Sequence, residues 1–329
     1  MKHITVGLFV PHRGCPHQCS FCNQKSISGQ MKELTADDVH SAVSKAMENP
    51  RLKNAEIAFF GGSFTAIERG YMLSLLQAAA GYIDGDKFKG IRISTRPDCI
   101  DGEICALLKN YKVTAVELGA QSMSDEVLRL NQRGHTAQDV ADAVKMLKSY
   151  GFEAGLQMMT GLYGSDGKES LETAKKIIAL SPDTVRIYPT VVLENTRLAE
   201  LFEKGEYIPQ SVEEAVDICS QLLMMFHKAQ IKVIRVGLHS GGNVEEGFVA
   251  GAYHPAFKEL CESRIYYNLI LDELKNKNVT QCTVFVPQGA LSQALGQKKQ
   301  NLILLGEKGY NLSIKENRDL KKYQILIKE

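Results

Sequence analysis

Ile4-Thr-Val-Gly-Leu-Phe-Val10 runs without a break into Pro11-His-Arg-Gly-Cys15-Pro-His-Gln-Cys19-Ser-Phe-Cys22. The first stretch is short, apolar and β-branched, which reads as a strand buried on both faces. The second is a loop with three cysteines within eight residues, spaced C-x-x-x-C-x-x-C. A strand that delivers its chemistry into the loop at its C-terminal end is the arrangement of parallel α/β folds.

The same pattern recurs down the chain. Ala55–Phe60, Ile91–Thr95, Val113–Leu118, Glu153–Met159, Thr184–Tyr188 and Ile231–Val236 read as further strands. Helices with legible starts lie between them. Thr35 precedes Asp37 and Asp38, Thr136 precedes Asp139, and Ser211-Val-Glu-Glu214 has the capping-box pattern; an apolar stripe follows each. Asn49-Pro50 and Tyr150-Gly151 read as helix stops. Strand, helix, strand repeated six or seven times demands a parallel sheet with right-handed crossovers. A doubly wound sheet and a full or partial (β/α) barrel both satisfy it.

Composition narrows the class. The 329 residues carry 39 Lys and Arg against 38 Asp and Glu, and 44% are hydrophobic, which excludes a disordered chain. No apolar run reaches the ~20 residues of a membrane span. The first ten residues lack the form of a secretory signal, so the expected location is cytoplasmic. Cys99, Cys105, Cys219, Cys261 and Cys282 are scattered and read as small buried hydrophobes.

The pattern changes near Lys275. Lys275-Asn-Lys-Asn278 is polar, Gln281–Val286 reads as a strand, Leu291–Leu305 as helix–turn–helix, and Asn311–Lys315 and Tyr323–Ile327 as short strands. The expected division is 1–275, a barrel with its C-terminal extension, and 276–329, a small basic α/β module. That module holds nine Lys and Arg against four Asp and Glu, a net +5; the chain is +1, so the remainder is −4. The asymmetry fits an anionic partner or a solvated lysine-rich surface.

Clustered thiolates select zinc, copper(I) or an iron–sulfur cluster. A structural zinc wants four ligands, and His12 or His17 could complete a Cys₃His set. The 3-then-2 spacing instead wraps a loop around three corners of a cubane and leaves the fourth iron open.

With an aromatic, Phe21, before the third cysteine, this motif resembles the signature of radical S-adenosylmethionine (SAM) enzymes. The resemblance implies a partial (β/α)6-type barrel. It implies that Cys15, Cys19 and Cys22 hold three irons of a 4Fe–4S cluster and that SAM chelates the fourth. A low-potential electron donor would reduce the cluster. SAM would then be cleaved reductively to a 5′-deoxyadenosyl radical that abstracts a hydrogen.

Other strand ends extend the likeness. Gly61-Gly62-Ser63 resembles the glycine motif whose backbone holds SAM's amino group, with Ser63 where relatives often carry Glu or Thr. Ser94 stands where relatives often carry Glu. Gln121, and Arg133 twelve positions later, match residues that touch SAM's ribose and carboxylate, and Gln157 matches a further ribose contact. The layout from about residue 5 to 265 is similar to the radical SAM half of the Elongator catalytic subunit, a tRNA-modifying enzyme, and more distantly to oxygen-independent coproporphyrinogen oxidases. Gln24 stands where the latter carry another cysteine. Only some 60 residues follow the barrel, too few for the acetyltransferase domain of Elongator.

In the C-terminal module, Gly296-Gln-Lys298-Lys299 followed by Leu302 and Leu305 resembles the helix–loop–helix of a KH module, whose Gly-rich turn clamps an RNA backbone. Lys299 replaces the second glycine. His239 and His254 are candidate substrate contacts or structural histidines. The leading expectation is a radical SAM enzyme acting on RNA or tRNA, with Lys298 and Lys299 on the RNA. The alternatives are a radical SAM enzyme on a small metabolite or porphyrin-like substrate, and a zinc- or cluster-bearing RNA-binding or sensing protein without turnover.

Overall fold

The computed structural model describes residues 4–10, 15, 18–22, 33–238, 243–277 and 279–328, with backbone only at 243 and 244. Seven strands form one parallel sheet in chain order: β1 (Thr5–Val10), β2 (Ala55–Gly61), β3 (Phe88–Thr95), β4 (Val113–Gln121), β5 (Glu153–Thr160), β6 (Thr184–Pro189) and β8 (Lys232–Val236). All seven expected strands are present. The edge strands β1 and β8 do not pair with each other, so the sheet curls into an open half-barrel. It carries one strand more than a six-stranded core, because β8 adds to the free edge of β6. A short antiparallel pair, β7 (Val191–Leu193) and β9 (Phe248–Gly251), lies apart from the sheet.

The connecting helices are α1 (Ala36–Met47), α2 (Arg69–Ala80), α3 (Gly102–Asn110), α4 (Asp125–Leu130), α5 (Ala137–Ser149), α6 (Gly167–Leu180), α7 (Arg197–Glu203), α8 (Val212–Lys228) and α9 (Asn243–Glu246). Thr35 with Asp38, Thr136 with Asp139 and Ser211 with Glu214 each close a reciprocal capping box, at α1, α5 and α8. Alternation along the strands divides the sheet into two faces. Ile57, Phe59, Ile91, Ile93, Val116, Leu118, Leu156, Met158 and Ile187 are buried in the core that the helices share. The residues between them face the lumen, and several are charged.

Arg92 gathers three carboxylates there. It is 5% exposed and donates to Glu56 through Nε (2.9 Å) and Nη2 (3.2 Å), to Glu117 at 3.3 Å and to Glu153 at 2.8 Å. Arg186 reaches over β5 to the same Glu117, donating from Nη2 at 2.8 Å and from Nε. Gly155, directly opposite Glu117 on β5, makes room: a Cβ there would lie 3.0 Å from Glu117 Cγ and 2.8 Å from Thr184 Oγ1.

After β9, α10 (Phe257–Lys277) packs on α8 and leads into β10 (Gln281–Pro287), α11 (Leu291–Leu295), α12 (Gln300–Glu307), β11 (Asn311–Asn317) and β12 (Leu326–Lys328). The second sheet has β10 in the centre, parallel to β11 and antiparallel to β12. Lys275-Asn-Lys277, polar in sequence and expected at the boundary between the two parts, is the last turn of α10. Cys261, Ile270 and Leu274 of α10 share one apolar core with Val284, Ala294, Leu305 and Ile327 of the module and with the barrel helices.

Candidate functional site

The ends of β2, β4 and β5 and the cysteine loop meet at one place. Cys19 is buried, while Cys15 and Cys22 are half-buried. The middle of the loop is fastened through Ser20, whose N–H donates to the Asn131 carbonyl at 3.1 Å and whose hydroxyl donates to Asn131 Oδ1 at 2.7 Å. Its carbonyl accepts from the Leu198 N–H at 2.8 Å. Asn131 is held in turn through Nδ2, on the Val127 and Tyr163 carbonyls. Phe21 packs against Val127, Met159 and Leu162 on one side and the cluster of Val192, Leu198 and Tyr207 on the other. His12, His17, Gln24 and His239 lie outside the described residues.

Gly61 ends β2 with φ of 124°, and a Cβ there would stand 2.2 Å from the Val10 carbonyl oxygen, so no other residue fits without moving β1. The Gly62 N–H faces that same oxygen at 3.5 Å. Ser63 is buried and its hydroxyl lies 3.4 Å from the Cys15 sulfur.

A bulge shapes the end of β4. Gly119 pairs with Gln157 and Gln121 with Met158, leaving Ala120 extra, and Gln121 takes the left-handed φ of 66°. A non-glycine residue in that region is strained, which concentrates at functional sites. The bulge turns Gln121 toward β5, where its Oε1 accepts from Gln157 Nε2 at 3.2 Å. Arg133, 7% exposed, donates from Nη2 to the Gly119 carbonyl at 2.7 Å and from Nη1 to the Cys19 sulfur at 3.0 Å. Four of the residues singled out in the sequence therefore form one neighbourhood: Cys19, Arg133, Gln121 and Gln157. The Arg133 amino groups, expected on a carboxylate, are on a thiol and a carbonyl, and its Nε has no partner among the described residues.

Two further residues escaped the sequence reading. Arg96, 2% exposed, grips Asp98 with two bonds (2.9 and 2.7 Å), while its buried Nη1 has no partner among the described residues. It lies close to Cys19 and Cys99. Cys99 is half-buried, and burial, then Asp98, pushes its thiol up, so it stays protonated. His135 sits under the bulge with Nε2 on the Ala120 carbonyl at 3.2 Å. Burial and then the Arg133 charge lower its pKa to about 4, so it is neutral. Adjacency to Arg133 was the only sequence signal for it. His254 is a cap: its Nδ1 accepts from the Ala256 N–H at 3.0 Å just before α10.

No group of three His, Cys, Asp or Glu is gathered into a preassembled metal cage among the described residues. The chemistry of the donor set nonetheless fits a group that leaves one position open: three soft thiol ligands on one loop, with Arg133 on one sulfur and the orphaned Arg96 nitrogen nearby to balance negative charge.

In the C-terminal module, Lys298 (φ 50°) and Lys299 (φ 62°) are both left-handed and exposed, at the start of α12. Lys299 thus takes the conformation that a second glycine would adopt with ease. Gly296 is held against α10, where Asn301 Nδ2 donates to the Ser263 carbonyl (3.1 Å) and hydroxyl (3.0 Å) and to the Ala294 carbonyl (2.9 Å).

Residues 9–177 match the family model of the radical SAM superfamily, and residues 182–267 match that of the radical SAM C-terminal domain. An uncharacterized protein of Methanocaldococcus jannaschii is 32% identical over 62% of this chain and 65% of its own length. A tRNA uridine(34) acetyltransferase of that organism is 41% identical over 39% of this chain and 24% of its own. Elongator complex protein 3 of Saccharomyces cerevisiae is 29% identical over 68% of this chain and 48% of its own. The matched region thus spans less than two thirds of each of these relatives. Among solved structures, the archaeal Elp3 of Methanocaldococcus infernus superposes with a TM-score of 0.63 at 22% identity, covering 84% of this chain and 64% of that one.

Proposed function

This chain belongs to the radical SAM superfamily, and from that premise we propose that it is an enzyme that modifies RNA, with transfer RNA as substrate. The observation that carries the catalytic part is the contiguity of Cys19, Arg133, Gln121 and Gln157 at the C-terminal ends of parallel strands. Cys15, Cys19 and Cys22 are the residues that would hold a 4Fe–4S cluster. With SAM bound, that cluster supplies one-electron cleavage of a sulfonium bond and so gives access to unreactive C–H bonds.

The chain's own residues orient and exclude. Arg133 fixes the Cys19 sulfur, and its Nε and the amides of Gln121 and Gln157 are the donors and acceptors for a carboxylate and a ribose. Gly61 and Gly62 keep side chains away from an approaching amino acid. Phe21, seated between two apolar clusters, keeps water from the loop. A low-potential electron donor must come from outside the chain.

The substrate rests on different ground. Relatives named as tRNA uridine(34) acetyltransferase and Elongator complex protein 3 share the barrel. The C-terminal module adds an exposed lysine pair on a strained turn. Acetyl transfer is not part of this proposal. The deciding experiment reconstitutes the protein anaerobically with iron and sulfide, reduces it, adds SAM and measures 5′-deoxyadenosine with and without transfer RNA. Product that requires the three cysteines and rises with transfer RNA is the expected result. Product indifferent to RNA would redirect the search to small metabolites, and a zinc-loaded, inert protein would sink the enzyme reading.

A further inference from the structure

The lumen row Gly119–Gln157–Arg186–Arg235 crosses β4, β5, β6 and β8 in direct register, from the candidate site to the open edge of the sheet. Arg235 enters this row through a bulge. Val233 pairs with Val185 and Arg235 with Arg186, so Ile234 is the extra residue; in a ladder without the bulge, Ile234 would oppose Arg186. Two arginines therefore stand side by side on neighbouring strands, an arrangement that destabilises a sheet unless something lies between the charges.

Their surroundings are unequal. Arg186 is held by Glu117 and lies 5.4 Å over the Phe60 ring. Arg235 donates from Nε to the Gly237 carbonyl at 3.1 Å, and no carboxylate pairs with it among the described residues. The residues outside the described set contain one acidic side chain, Glu329. Along this face Glu56, Glu117 and Glu153 pair with Lys89, Arg92 and Arg186, and Arg235 stands outside these pairs among the described residues. Tyr188 adds a hydroxyl 3.4 Å from Arg186 Nη1. Burial, and then the Arg186 charge, hold Arg235 below its ordinary pKa while Tyr188 opposes them. A half-buried arginine beside a second one, with two nitrogens uncommitted among the described residues, is a receptor for an oxyanion.

We propose that Arg235, backed by Arg186 and Tyr188, binds a phosphate group of the substrate at the open edge of the half-barrel, so that the nucleotide carrying it extends along the row toward Gln157. This rests on the reading of the chain as an RNA-modifying enzyme, since a phosphodiester is the anion that RNA carries.

The test measures thermal unfolding of the full-length protein in inorganic phosphate against chloride at matched ionic strength, for the wild type, Arg235→Gln and Arg235→Lys. The wild type is expected to gain a saturable stabilisation by phosphate. Arg235→Gln should lose that response and, without phosphate, melt no lower than wild type, because a like-charge contact is gone. Arg235→Lys should keep it with affinity about tenfold weaker, as a single ammonium replaces a fork of donors. Calorimetric titration with uridine 5′-monophosphate against uridine then distinguishes a nucleotide from a free phosphate: discrimination that vanishes in Arg235→Gln is the expected outcome.

An equal phosphate response in the wild type and both variants would overturn the proposal. So would an Arg235→Gln protein that is simply less stable in both salts. The 5′-deoxyadenosine assay keeps the two readings apart. A phosphate response lost in Arg235→Gln, with no stimulation by RNA, keeps the anion site and removes RNA. Stimulation by RNA that Arg235→Gln leaves intact removes the site and keeps the RNA reading.

Discussion

The two walls of the half-barrel lumen solve opposite problems with the same residue type. On β2 to β5, Arg92 is enclosed by Glu56, Glu117 and Glu153. On β6 and β8, Arg186 borrows the far wall's Glu117, and Arg235 has no carboxylate at all among the described residues. A buried charge that is fully paired is a piece of architecture; one left uncompensated beside a like charge is a demand for a ligand. The contrast assigns structure to the Arg92 cluster and, on the proposal above, recognition to Arg235.

The strongest way to break this contrast is to uncompensate the settled wall. Glu117→Gln removes the carboxylate shared by Arg92 and Arg186, and chemical denaturation should report a loss of about 3–5 kcal/mol. Protonation offers a second test. Unfolded His135 takes up a proton near pH 6.5, whereas the folded residue resists until about pH 4. Its contribution is therefore fully present above pH 6.5 and is lost as the pH falls from there to 4, by an amount on the order of 3 kcal/mol. Denaturation midpoints across that window should flatten by about one proton in His135→Gln.

A smaller effect is expected where the walls are bridged. Gly155→Ala should cost about 1–3 kcal/mol by crowding Glu117 and Thr184, readable as a lower melting temperature; no change would mean that Arg186 does not need the clearance. The mildest change is Lys299→Gly. It relieves a left-handed lysine and should stabilise the fold by about 1 kcal/mol, while reducing the slope of log affinity for RNA on log salt by about one.

These walls also mark where the sequence stopped being readable. The seven strands were legible because their outward faces are apolar throughout, mostly Ile, Val, Leu and Phe, and the three capping boxes were legible because capping is local chemistry. Glu56, Arg92, Glu117, Glu153 and Arg186 passed unremarked: a charge inside a short apolar run does not say whether it meets water or a partner several strands away. Alternation of sign across successive strands was the available clue. Of the site, Cys19, Arg133, Gln121 and Gln157 were singled out through resemblance and are brought together. The bulge that does this, the neutral His135 beneath it and the Ser20–Asn131 fastening depend on register between distant segments, which no local pattern encodes. Arg96 was passed over two residues beyond Ser94, because its significance is its burial.

The fastening at Ser20 ties the cysteine loop to positions far from it in sequence: its bonds run to Asn131, at the end of α4, and to Leu198, in α7. The placing of the loop is thus shared with two helices that carry no cysteine, and a substitution at either can shift it while leaving every thiol in place.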